Sequence, residues 1–178
     1  LEAGLARSGG QGSRAADILA HLGWAHWLNQ HIAYQEFGSA AEQGMRKALS
    51  LDPSNVYANA MLGNWLLQTD GSLQEALRCF DLALKTGKQR ALVRAMQLGG
   101  LISNDAPGVR PELIRAANQM RINSEPLDAD HRQRILSNYS PGQNAQELSE
   151  TLSAVSPDQA WATFLWLYVQ PKRQTDRL

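Results

Sequence analysis

Residues 41–84, AEQGMRKALSLDPSNVYANAMLGNWLLQTDGSLQEALRCFDLAL, decide how the rest of the chain is read. Ala41, Met45 and Ala48 return as Ala76, Phe80 and Ala83, each 35 positions later. Residues four and three apart share one face of a helix, so what recurs is an apolar stripe and not isolated letters. A second marker has nearly the same period: Leu62-Gly63 is preceded by Leu22-Gly23, 40 positions earlier, and followed by Leu98-Gly99, 36 positions later. Self-similarity at this spacing predicts a helical repeat, in which each helix pair covers its apolar side only by stacking on the next.

Breakers and caps predict the helices in order. Residues 1–12, with four glycines, form a flexible lead-in. Ser13 caps a long first helix that runs to Phe37, before Gly38. Ser39 with Glu42 forms a capping box for a second helix, which ends where Asp52-Pro53 interrupts it. A third helix covers 54–69 and turns at Asp70-Gly71. Ser72 with Glu75 is another capping box, for a fourth helix over 73–86 closed by Gly87. A fifth covers 89–103, and Pro111 starts a sixth carrying Leu113, Ile114, Ala117 and Met120 on one side. Beyond Arg121 the period is lost, but helical composition continues over 130–138, 145–155 and 160–169.

The Leu-Gly pair on one helix, Glu75-Ala76, Phe80 and Ala83-Leu84 on the next, and Leu51-Asp52-Pro53 before the unit together resemble the tetratricopeptide repeat (TPR) family. The main unit runs from Val56 to about Gly87, and the resemblance covers roughly residues 14–121. Asn59 stands where the family favours Trp, and Leu66 where it favours Tyr. The third unit is degenerate, because Pro111 falls where its second helix should be under way. The resemblance implies an all-α fold: a TPR-like right-handed superhelical solenoid of about three antiparallel helix pairs over 13–121, with a C-terminal helical cap over 122–170 and a tail over 171–178.

Composition narrows the partners. Seventeen basic and seventeen acidic residues cancel, so no strong field draws nucleic acid to the whole surface. Eight basic against three acidic side chains between Arg78 and Arg121 read as a solvated helix face, with an anion-facing patch as the alternative. The five tryptophans lack the interleaved basic residues of a single-strand channel, so no nucleic-acid partner is expected. No apolar run reaches the roughly 18–20 residues of a membrane span. The chain opens at Leu1, which is taken to mean a processed or excised piece of a longer protein, and no compartment is assigned.

Chemistry has no visible apparatus. His21, His26 and His31 are five apart, which leaves neighbours roughly 140° apart around a helix, so no metal site is expected. Cys79, beside Phe80 on a repeating core face, reads as a small buried hydrophobe. No phosphate-binding, zinc-protease or serine-hydrolase motif occurs. The expectation is a non-enzyme without cofactors.

In TPR arrays the first helix of each pair lines a concave groove that holds a partner peptide or helix. Matching from the Leu-Gly pairs, the resemblance puts Tyr57, Ala60, Asn64, Leu67 and Gln68 of the main unit on that groove. By the same matching the first unit supplies Trp24 and Leu28, and the third Val93, Met96 and Asn104. Packing between repeats is the competing role for each. The run AWATFLWLYV over 160–169, with Trp161, Phe164, Trp166 and Tyr168, must be covered by something. Packing as a lid on the last repeat is one reading, and a homodimer or partner interface is the other. The expected function is therefore a protein-interaction scaffold, with a self-association or regulatory domain of a longer protein as the alternative.

Overall fold

The computed structural model describes residues 4, 7, 9, 12–32, 39–69, 71–104 and 108–125. All regular structure among them is helical, so the fold is all-α. The helices are α1 (Gly12–Ile32), α2 (Ser39–Leu51), α3 (Val56–Gln68), α4 (Leu73–Lys85), α5 (Arg90–Ser103) and α6 (Val109–Ile122). The chain divides into two units, Leu1–Asn104 with α1 to α5, and Asp105–Leu178 with α6. The helices expected over 130–138, 145–155 and 160–169, the last with Trp161, Phe164, Trp166 and Tyr168, lie outside the described residues.

In the first unit, α1 and α2 meet where side chains are smallest. A Cβ added to Gly23 would lie 2.7 Å from the Ala41 carbonyl oxygen and 3.1 Å from Met45 Cγ, and one added to Gly44 would lie 3.0 Å from Gly23 Cα. The two backbones therefore touch. The α3–α4 contact repeats this arrangement: a Cβ on Gly63 would lie 3.1 Å from the Ala76 carbonyl oxygen and 3.0 Å from the Phe80 ring. Gly23 is to Ala41 and Met45 as Gly63 is to Ala76 and Phe80, which explains why those positions recur together. Ala41, Met45, Ala48, Ala76, Phe80 and Ala83 are all fully buried.

Helix α3 is the centre of the unit. It contacts α1, α2, α4 and α5, and it buries 11 of its residues. A helix apolar all round, as Met61, Leu62, Trp65, Leu66 and Leu67 make this one, is stable only when neighbours surround it. Helices α1 and α3 run in the same direction. Asp17 on the first meets Asn55 at the head of the second, 38 residues on, and the ring of His21, one turn further, meets that of Tyr57 at a tilt of 59° with centroids 4.7 Å apart. Helices α3 and α5 repeat this relation. Gly100 packs on Asn64 and Leu67, and Asn104 Nδ2 donates to the Leu67 carbonyl over 2.6 Å across 37 residues.

The α2–α3 turn is built from side chains. Asp52 Oδ1 accepts from both the Ser54 N–H (3.0 Å) and the Ser54 hydroxyl (2.7 Å), an Asx-type turn that holds Ser54 out of the helix. Asn55 becomes the cap, its Oδ1 accepting from the Ala58 N–H at 2.9 Å, so α3 begins at Val56 and not at residue 54 as the sequence suggests. The expected box at α4 forms by half. Ser72 Oγ accepts from the Glu75 N–H at 3.2 Å, but the Glu75 carboxylate reaches Arg46 on α2 at 2.7 Å. Arg46 also holds Glu42 at 2.7 Å, so one guanidinium bridges the second helices of successive pairs.

In the second unit, α6 buries Val109, Leu113, Ala116, Ala117 and Met120. Gly108 precedes it at φ +90°, and Pro111 sits within its first turn, where a missing N–H costs no helical bond. The helix thus starts two residues before the proline, instead of at it. It ends with Glu125 N–H bonded to Met120 O (2.8 Å) and Ser124 N–H to Arg121 O (3.0 Å), a Schellman closure with Ser124 at φ +53°.

Candidate functional site

Burial divides the ten residues expected on the groove. Val93 is fully buried, Leu67 is 2 % exposed and Asn64 6 % exposed, and Ala60 between them is buried as well. Asn64 and Leu67 are covered by Gly100: a Cβ there would lie 2.8 Å from Leu67 Cδ1 and 3.1 Å from Asn64 Oδ1. These positions pack neighbouring helices and have almost no surface left for a partner. Asn104 is half-buried, and its amide ties α5 to the Leu67 carbonyl.

Besides Asn104, five residues keep surface. Trp24 is half-buried and lies against Trp27 at a tilt of 34° with ring centroids 4.6 Å apart, and Leu28, one turn on, is 41 % exposed. Tyr57, Gln68 and Met96 are half-buried. All five lie on α1, α3 and α5 in the first unit.

The heads of these helices also flank a solvent-open cleft of about 480 Å³, which sequence reasoning missed. It is lined by Ser13 and Asp17 on α1, by Asp52, Ser54 and Asn55 in the α2–α3 turn with Val56 and Tyr57 beyond, and by Thr86, Lys88 and Gln89 in the α4–α5 turn. Asp17 Oδ1 accepts from Asn55 Nδ2 at 2.6 Å, and Asn55 spends its own oxygen on the α3 cap. His21 Nδ1 bonds the Asp17 carbonyl at 2.7 Å, which fixes the imidazole against Tyr57. A signal for the cleft was present. Matched from the Leu-Gly pairs, Asp17 occupies in the first unit the position that Tyr57 occupies in the second.

Burial pushes the Cys79 thiol up to about 11, so it stays protonated and unreactive at neutral pH. The hydrogen bond from Arg46 lowers the Glu75 carboxyl below the usual glutamate range. His26 is exposed, and among the described residues no group of three or more His, Cys, Asp or Glu is placed to hold a metal ion. Among the described residues no helix is long and apolar enough to cross a membrane.

Comparison of the chain with protein-family models, with curated proteins and with solved structures found no match.

Proposed function

We propose that the helix pairs form a TPR-like solenoid and that the chain is a non-catalytic protein-interaction module, holding a peptide or helix of a partner along α1, α3 and α5. Two features support the solenoid. The glycine contacts of the α1–α2 pair recur in the α3–α4 pair, and the first helices of successive pairs run parallel at offsets of 37 and 38 residues. The observation that carries the binding role is the apolar surface on α1: Leu28, 41 % exposed, follows the half-buried Trp24, whose ring leans on the buried Trp27. A short apolar and aromatic patch suits the apolar face of an amphipathic segment, and the half-buried Gln68 on α3 offers an amide to its backbone.

Affinity capture with the full chain, followed by mass spectrometry and titration of the captured segment, tests this. Leu28→Glu introduces a charge at an exposed site and leaves the buried residues in place. It is expected to weaken the titrated interaction by at least about tenfold, or about 1.4 kcal/mol. Gln68→Ala should weaken it less. Unchanged affinity in both variants, with unchanged helical content, removes this face from the binding role.

A further inference from the structure

The carboxamides of Asn64 and Gln68 on α3 are left unspent by the fold, and we propose that they hold the backbone of a partner segment lying extended along that helix, and not a partner helix. The inference rests on the reading of the chain as a peptide-binding module and names the conformation that the bound segment takes. Asn64 is 6 % exposed, and its carboxamide makes no hydrogen bond to a described residue. Its oxygen faces Gly100, which has no side chain to offer it. Polar groups this deep are nearly always paired, because an unpaired one keeps the full cost of leaving water. Asn64 is not a sealed defect, since neither of its amide atoms is among the unpaired side-chain atoms cut off from solvent.

One turn on, Gln68 is half-buried, and its amide is likewise unbonded among the described residues. The polar groups around the pair are engaged: Thr69 Oγ1 donates to the Trp65 carbonyl at 2.9 Å, and Asn104 Nδ2 to the Leu67 carbonyl at 2.6 Å. Each free carboxamide can both donate and accept, as a peptide group does. Spacing decides the occupant. Four residues along α3 advance about 6 Å. Residues two apart in an extended chain present their N–H and C=O on one edge about 6.6 Å apart, so two carboxamides meet two residues of a strand. A helix has no such edge, because its N–H and C=O groups are bonded within it. Nor is there a furrow for a helix's side chains, since Ala60, Leu67 and Val93 around Asn64 are each 2 % exposed or less. His21 meets Tyr57 at an offset of 36 residues, and at the same offset Leu28 lies level with Asn64. The segment is therefore extended, with free backbone N–H groups along one edge and an apolar side chain toward α1.

The test titrates the full chain with the acetylated and amidated pentapeptide Thr-Leu-Thr-Leu-Thr and follows the side-chain NH₂ signals of Asn64 and Gln68 by nuclear magnetic resonance. Beside it stand the same peptide N-methylated at every residue, which offers no backbone donor, and a stapled amphipathic helix of twelve residues with leucines on one face. Saturable shifts of both NH₂ signals are expected with the plain peptide, with binding at least about fivefold weaker for the methylated twin, and no such shifts with the stapled helix. Asn64→Leu keeps the volume and removes the amide, and Gln68→Met does the same at a half-buried site that the fold does not depend on. Each should weaken the plain peptide about fivefold at unchanged helical content. Equal binding of the methylated twin, shifts of both NH₂ signals by the stapled helix, an unaltered titration in Gln68→Met, or no saturation by tens of millimolar would each overturn the inference. The outcome is separable from that of the groove. Capture sensitive to Leu28→Glu with no response to the pentapeptide leaves the groove standing and removes the extended segment, and the reverse result removes the α1 face.

Discussion

At Gly23 the backbone of α1 lies against that of α2, and two opposing magnitudes decide what a methyl group there would do. Alanine favours the helix over glycine by about 1 kcal/mol. Against this, the new Cβ would stand 2.7 Å from the Ala41 carbonyl oxygen, a backbone atom that cannot rotate away, and overpacking of this kind costs about 1–3 kcal/mol or more. Gly23→Ala is therefore expected to lower stability by about 1–2 kcal/mol in urea unfolding, and a stabilised variant would show that α1 and α2 are not in contact there. The Leu-Gly pairs were legible as a repeat, but the glycine's reason was not, since a period does not say which atoms meet. Asn59 makes the same point. It departs from the tryptophan that the family resemblance favours, and its amide donates to the carbonyls of Pro53 (3.0 Å) and Asn55 (2.9 Å), knitting the first turn of α3 to the loop before it. Only the turn's geometry creates that need.

Helix existence and order followed from periodicity and breakers, while helix starts depended on which polar side chain won each backbone N–H. Asp52 took Ser54, Asn55 took Ala58, and Glu75 left its own N-terminus for Arg46. The last exchange links α2 to α4 and has a signed consequence. The Arg46 hydrogen bond lowers the folded Glu75 pKa below its unfolded value near 4.3, so the contribution is complete above about pH 5 and is lost as pH falls through the folded value. Both partners are well exposed, which limits the effect to a surface pair, on the order of 0.2–1 kcal/mol. Glu75→Gln should thus be less stable than the parent at pH 7, and the gap should narrow as pH falls below the unfolded glutamate value and shrink in high salt. A gap that persists at low pH would remove the ion pair as its cause.

Within the first unit, burial is concentrated on α3, which has neighbours on all sides, while α2 and α4 keep solvent-facing edges at Lys47, Arg78 and Lys85. Amides that open only when the surrounding helices separate exchange slowest. Hydrogen exchange should accordingly rank α3 as the most protected segment of 12–104, and equal protection of α2 would count against this arrangement. The groove expected from the resemblance was legible only in part. Matching from the Leu-Gly pairs of the resemblance put Asn64, Leu67 and Val93 on a surface, but parallel helices this close bury the residues on their flanks and leave Trp24, Leu28, Tyr57, Gln68 and Met96 with area to offer. Gly100 draws out what such closeness entails. Because that residue lets α5 seat itself on Leu67 and Asn64, a chain shortened before residue 90 would bare an oily strip along the middle helix, and the fragment would be more prone to clump than the longer chain.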